Sequence, residues 1–184
     1  RTLLQLSFDR MLMVCPKENI YIVTNSAYVD LVKDQLPEIE DNQILQEPSR
    51  KNTAACVAYA SYKIKTLNPN ATLIVAPSDH IVMSENSFKQ TMSIAIKQSR
   101  LENCLVTLGI KPSRPDTGYG YIQFLDNVEG SPDNVREVKM FTEKPNLELA
   151  EQFIDSGDFY WNSGIFIWSA DSIIEAFSKH LPSM

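Results

Sequence analysis

Short apolar runs alternate with amphipathic stretches along nearly the whole chain. Residues 1–11 predict a short helix. Residues 20–24, Ile-Tyr-Ile-Val-Thr, are β-branched and flat and predict a strand. Ser26 then stands as the expected N-cap of a helix with Tyr28, Leu31 and Val32 on one face. A second short strand is expected at 43–46 and an alanine-rich helix over 53–65. Residues 72–76 read as a strand buried on both faces, because no polar position interrupts their apolar run after Thr72. Ser84 is the expected cap of a helix carrying Phe88, Met92, Ala95 and Ile96 at helical spacing. Another buried strand is expected over 104–110. After a proline-punctuated loop, 119–125 and 135–143 read as neighbouring strands. A helix follows and stops at Gly157. A last strand is predicted over 160–168, and Ile173, Ile174 and Phe177 mark a closing helix.

Strand–helix alternation of this kind implies a mainly parallel sheet with helices on both faces. Strands joined by loops towards the C-terminus make part of it mixed. No repeat, low-complexity tract or linker interrupts residues 1–184, so one domain is expected. Arg1 rather than Met opens the chain, which gives the expectation that the sequence starts inside a longer protein.

Composition narrows the function. Hydrophobic residues at 43% and charged residues at 22% suit a globular domain, and no apolar run nears a membrane span. A net charge of −6, with the acids scattered, argues against a nucleic-acid partner, which needs a basic face. A single nucleotide needs only two or three local cations. Cys15, Cys56 and Cys104 show neither disulfide nor zinc spacing; they read as small buried hydrophobes and point to a reducing compartment, the cytoplasm.

The unusual residues gather where strands end, and ligands of such sheets bind at the carboxyl ends of strands. Asp79, in Ala76-Pro77-Ser78-Asp79-His80, is placed to hold a divalent cation or merely to cap a turn. His80 reads as a structural hydrogen-bonder. Glu47 to Thr53 open a helix N-terminus with two adjacent cations, an anion site. Glu47 there also offers an acceptor pair matching the donors of a guanine edge. The plain alternative makes Asn52 an N-cap. Gly118 and Gly120 suit close backbone approach, positive φ or a hairpin bend. Glu143 and Lys144 suit sugar hydroxyls and a phosphate, or a surface ion pair. Trp161-Asn162-Ser163-Gly164 offers an amide to a sugar, or forms a tight turn.

Taken in order, these segments resemble the mannose-1-phosphate guanylyltransferase family. The resemblance rests on Glu-Pro-x-x-x-Asn-Thr-Ala at 47–54, Pro-x-Asp-His at 77–80 and Gly-Ile-x-Pro-x-x-Pro-x-Thr-Gly-Tyr-Gly-Tyr-Ile at 109–122. Phe-x-Glu-Lys-Pro at 141–145 and Trp-Asn-Ser-Gly-x-Phe at 161–166 complete it. It implies a three-layer, Rossmann-like sugar-nucleotidyltransferase fold with a mixed, mainly parallel sheet. It also implies GMP transfer from GTP to mannose 1-phosphate, without a covalent enzyme intermediate. By the same resemblance, Asp79 and Lys144 are the catalytic candidates, and Asp79 holds Mg²⁺. Glu47, Lys51, Asn52 and Thr53 bind the nucleotide. Gly120, Glu143 and Asn162 hold the mannose, and Lys144 its phosphate. No membrane or nucleic-acid partner is implied, and a homodimer is left open.

The sequence departs from the family where Arg50 and Lys51 replace an expected glycine and arginine, and Ala55 an expected proline. A glycine-rich loop is expected before Arg1 and a second metal aspartate after Met184, so this stretch alone is expected to be inactive. The rival expectations are a relative using another base or sugar, and a non-catalytic subunit that senses a nucleotide-sugar.

Overall fold

The computed structural model describes residues 1–47, 52–125 and 134–182. They form two compact units: Arg1–Val106 with Phe166–Met184, and Thr107–Ile165.

In the first unit, helix α1 (Leu3–Leu12) begins with a reciprocal cap. The Thr2 hydroxyl accepts from the Gln5 N–H at 3.3 Å, and the Gln5 amide oxygen accepts from the Thr2 N–H at 3.0 Å. Strand β1 (Ile22–Asn25) leads through a short 3-10 turn into α2 (Val29–Gln35). Asn25 caps that turn, its side chain accepting from the Ala27 N–H. The expected cap at Ser26 is not made: α2 starts from Tyr28 with no side-chain cap, and the turn before it is capped by Asn25, whose side-chain oxygen reaches two residues on in an Asx turn. Strand β2 (Ile44–Glu47) runs parallel to β1, pairing Ile22 with Ile44 and Asn25 with Glu47. Phe8, Ile20, Val32, Leu36, Ile39 and Ile44 form the core here.

Helix α3 (Asn52–Leu67), strand β3 (Thr72–Val75) and helix α4 (Glu85–Leu101) follow. Ser84 stands at the start of α4, but its hydroxyl meets Ser87 Oγ rather than a backbone N–H. The second unit contains most of β4 (Val106–Ile110), then β5 (Tyr121–Leu125), β6 (Glu137–Thr142) and α5 (Leu147–Ser156). Tyr121, Ala150, Phe153, Phe159 and Trp161 form its core, with the Phe153 and Phe159 rings stacked at 4.0 Å. Strand β7 (Phe159–Ser169) runs on into the first unit, where α6 (Ala170–His180) closes the chain.

The mixed α/β architecture stands, but among the described pairings parallel strands are not the majority. Of four pairings among the described residues, β1–β2 is parallel, while β3–β7, β5–β6 and β5–β7 are antiparallel. Antiparallel neighbours such as β5 and β6 need no crossover helix. Burial also differs from expectation. β3 is mostly half-buried, and β4 is half-buried to exposed, so neither is covered on both faces. The residues of 161–164 are not a turn; they lie inside β7. No helix among the described residues is long and apolar enough to cross a membrane.

Gly157 ends α5 in the left-handed region at φ 79°. A Cβ there meets no neighbour within 4 Å, so only backbone strain opposes substitution. Gly157→Ala should lower the urea-unfolding free energy by about 1–2 kcal/mol; an unchanged midpoint would show that the cap relaxes freely.

Candidate functional site

In the first unit, Glu47 is the last residue of β2, and its carboxylate lies beside the Cys56 thiol of α3. Burial first, then the neighbouring Glu47 carboxylate, pushes the Cys56 thiol pKa up to about 11. Asn52 and Thr53 open α3 and are exposed. Asn52 is the first residue of the helix rather than its cap, and it takes φ 65°, a conformation that Asn tolerates better than most side chains. Lys51 lies outside the described residues.

Asp79 follows the carboxyl end of β3. Its side chain is 74% exposed, and its one ion-pair neighbour among the described residues is His80 Nε2 at 3.7 Å. Among those residues it caps no turn. Arg10 of α1 anchors the segment instead, donating to the His80 carbonyl at 2.7 Å and the Pro77 carbonyl at 3.4 Å. Arg10 is 5% exposed, and burial lowers its pKa from the ordinary arginine value. A buried guanidinium bonded to two carbonyls fixes the loop backbone while the Asp79 carboxylate stays in water.

In the second unit three of the candidate residues come together. The Asn162 N–H donates to the Gly120 carbonyl at 2.8 Å. A Cβ on Gly120 would meet the Thr142 carbonyl at 3.4 Å and Asn162 Cβ at 3.9 Å. Thr142 ends β6, and Glu143 is next in the chain. The Asn162 Oδ1 accepts from the Gly164 N–H at 3.0 Å and the Thr107 hydroxyl at 3.3 Å. With its oxygen taken, the amide nitrogen is the group Asn162 can offer. Glu143 and Lys144 are exposed, and neither enters an ion pair among the described residues. Neither Gly118 nor Gly120 takes a positive φ; Gly164 does, at 71°. Gly118 is instead needed for space, since its N–H donates to Asp116 Oδ1 at 2.8 Å and a Cβ would lie 3.1 Å from that oxygen. The same Asp116 pairs with Arg114 at 2.6 Å, and Arg114 lies over the Trp161 ring at 5.4 Å. The Gly118 bond first and Arg114 second hold the Asp116 carboxyl below its usual range.

The family model for nucleotidyl transferases matches residues 1–183. The chain belongs to the nucleotidyl transferase family. It is 39% identical over 169 residues to a mannose-1-phosphate guanylyltransferase of Escherichia coli, covering 89% of this chain and 36% of that protein. To another so named, from Salmonella montevideo, it is 42% identical over 159 residues, covering 84% and 33%. The chain thus spans about a third of the length of these curated relatives. A crystal structure from Thermus thermophilus, described as a mannose-1-phosphate geranyltransferase, is similar at TM-score 0.88 and 27% identity. That similarity covers 100% of this chain and 52% of the other. The fold is the Rossmann-like one of sugar nucleotidyltransferases.

For this nucleotidyl transferase, four residues near the candidates escaped the sequence reading: Arg10, Cys56, Thr107 and Asp116. Arg10 carried a signal, a cation at helical spacing from Leu6 and Ser7. The others carried none, since a half-buried Cys or Thr reads as filler. Cys15, Cys56 and Cys104 are free and half-buried, so they are only partly the buried hydrophobes expected.

Two measurements check this geometry. Cys56 alkylation should rise with pH around a midpoint near 11, and Glu47→Gln should bring that midpoint towards 9, the ordinary thiol value. Because the folded pKa is raised, Cys56 favours folding fully below pH 9, and its contribution fades as pH climbs from 9 to 11. A midpoint that stays put in Glu47→Gln would remove the Glu47 contact. Arg10→Met should speed amide exchange at Asp79 and His80 with helix content retained; unchanged exchange would show that the loop holds itself.

Proposed function

We propose that the intact protein is an enzyme transferring GMP from GTP to α-mannose 1-phosphate, giving GDP-mannose and pyrophosphate. The observation that carries this reading is where the motif residues sit. Glu47 ends β2, Asp79 follows β3 and Glu143 follows β6, each at the carboxyl end of its strand. Such ends are where ligands of open α/β sheets bind. The names of the relatives support the same substrates.

In this reading a phosphate oxygen of mannose 1-phosphate attacks the α-phosphorus of GTP in line. The α–β bridging bond breaks, and pyrophosphate leaves with the bonding pair. No proton donor is required, and catalysis is positioning together with neutralisation of charge. Glu47 accepts from the guanine edge, with Asn52 and Thr53 shaping the turn beside it, and Lys51 serves the phosphates. The Asn162 amide nitrogen donates to a mannose hydroxyl, Gly120 keeps the backbone close to the sugar, and Glu143 accepts from another hydroxyl. Lys144 pairs with the sugar phosphate.

A divalent cation is usual for this family, and Mg²⁺ is the ion proposed here. Asp79 fits it: a solvated carboxylate on an anchored loop suits a cation that binds one or two carboxylates plus phosphate oxygens. When bound, the ion neutralises charge on the triphosphate. The three free cysteines accord with a reducing compartment, the cytoplasm.

Three substitutions in the intact protein test the roles. Asp79→Ala should lower kcat at millimolar Mg²⁺ by about a hundredfold or more, the scale on which removing a charge-stabilising group acts; near-wild-type turnover would take it out of the metal role. Lys144→Ala should raise the KM for mannose 1-phosphate, and a change confined to the GTP constant would contradict its assignment. Glu47→Gln should relax discrimination against ATP; unchanged selectivity would remove the guanine contact. A panel of sugar phosphates and nucleoside triphosphates decides the substrate pair.

A further inference from the structure

In the second unit, every polar group of Asp116 is engaged. Its N–H donates to the Tyr121 hydroxyl at 3.1 Å, and that hydroxyl donates to the Asp116 carbonyl at 3.0 Å. Its Oδ1 accepts from the Gly118 N–H at 2.8 Å, and its Oδ2 from the Arg114 guanidinium at 2.6 Å. These bonds clip residues 114–121 around one side chain. The phenol end of the clip is rigid, because Tyr121 is 0% exposed and its ring packs against Phe153 at 5.2 Å. The other end is the exposed run Thr117, Gly118 and Tyr119, whose glycine adds backbone freedom.

The clip lies behind the face proposed to meet the sugar. Tyr121 stands opposite both Trp161 and Thr142 in the ladder, and residues directly opposite share a face. Arg114 lies over the Trp161 ring on that side. Gly120 and Asn162 adjoin Tyr121 and Trp161 in sequence and so take the other face. There a Cβ on Gly120 would come within 3.9 Å of Asn162 Cβ. Backbone joins the two sides: the Asn162 N–H donates to the Gly120 carbonyl at 2.8 Å. Gly120 sits between two positions that the clip holds, Gly118 through its N–H and Tyr121 through its hydroxyl.

We infer that Asp116 is a positioning residue of the sugar-phosphate subsite, holding Gly120 in register with Asn162 without touching the sugar. The inference rests on the reading of Gly120 and Asn162 as that subsite. Two features fit the task. Both carboxylate oxygens are occupied, so the side chain has its work inside the loop rather than at a ligand. Arg114 also matches the carboxylate charge, which otherwise would oppose a phosphate brought near. A loop ordered before the ligand arrives leaves less conformational freedom to lose on binding.

The test is kinetic, in the intact protein with mannose 1-phosphate and GTP. Asp116→Ala should raise the KM for mannose 1-phosphate by roughly tenfold or more and leave that for GTP within about twofold, since a binding group displaced by an ångström acts on this scale and locally. Asp116→Asn keeps an oxygen for the Gly118 N–H and should recover most of the loss. Tyr121→Phe removes one oxygen from a packed ring and should raise the same KM, which keeps the test open if Asp116→Ala fails to fold. Asn162→Ala supplies the reference: in that background Asp116→Ala should add little, because both act on one contact. Equal rises in both KM values would overturn the positioning role. So would an Asp116→Asn protein no better than Asp116→Ala, or full additivity with Asn162→Ala. A raised mannose 1-phosphate KM in Asn162→Ala, with an unchanged one in Asp116→Ala and Tyr121→Phe, overturns this inference alone. An unchanged KM in Asn162→Ala removes the sugar subsite itself, and this inference falls with it.

Discussion

Strand β7 must place its backbone donors and acceptors along eleven residues, and it does so with different partners at its two ends. Phe159 to Trp161 pair with β5, while Phe166 to Ser169 pair with β3. Between them the strand kinks, with Gly164 at φ 71°. The backbone groups freed by the kink are taken by neighbouring side chains: Asn162 Oδ1 accepts from Gly164 N–H, and Ser163 Oγ from Ile165 N–H. The proposed sugar-binding amide is therefore a by-product of strand bookkeeping. Its oxygen serves the kink and its nitrogen is left to serve a ligand.

The same division of labour recurs. Three groups proposed to meet substrate, Asp79, Glu47 and Asn162, each sit beside a neighbour of different chemistry that fixes their surroundings. Arg10 grips the carbonyls around Asp79, the Cys56 thiol engages Glu47, and the Thr107 hydroxyl engages Asn162. A solvated carboxylate on a fixed backbone suits a cation that keeps much of its own water, because little desolvation precedes binding. A half-buried carboxylate beside a thiol suits a base edge, where unpaired groups penalise the wrong partner. The placement of Arg114 between Asp116 and the Trp161 face extends this pattern to the loop that precedes Gly118 and Gly120.

Much of the candidate site was legible before any coordinates, because its residues follow strand ends, and strand ends are marked by local chemistry: Glu47, Asp79, Glu143. The residues that hold them were not. Arg10 and the His80 carbonyl are 70 positions apart, and Thr107 and Asn162 are 55 apart. Nothing in a local window announces such a pair. The expected cap at Ser26 gave way to an Asn25-capped turn and a helix starting at Tyr28 without a side-chain cap, since Asn and Ser side chains compete for the same N–H groups and only the backbone geometry chooses.

By itself the sequence determined where helices and strands form, that Gly157 would end a helix, and which segments carry chemistry. These follow from side-chain periodicity and from conformational preferences acting over a few residues. Tertiary structure alone decided that most of the described strand pairings run antiparallel, that 161–164 bends inside a strand, and which buried side chain steadies which exposed one. Strand direction and long-range hydrogen bonds are set by whichever arrangement satisfies all the backbone groups at once, and no single stretch of chain carries that information.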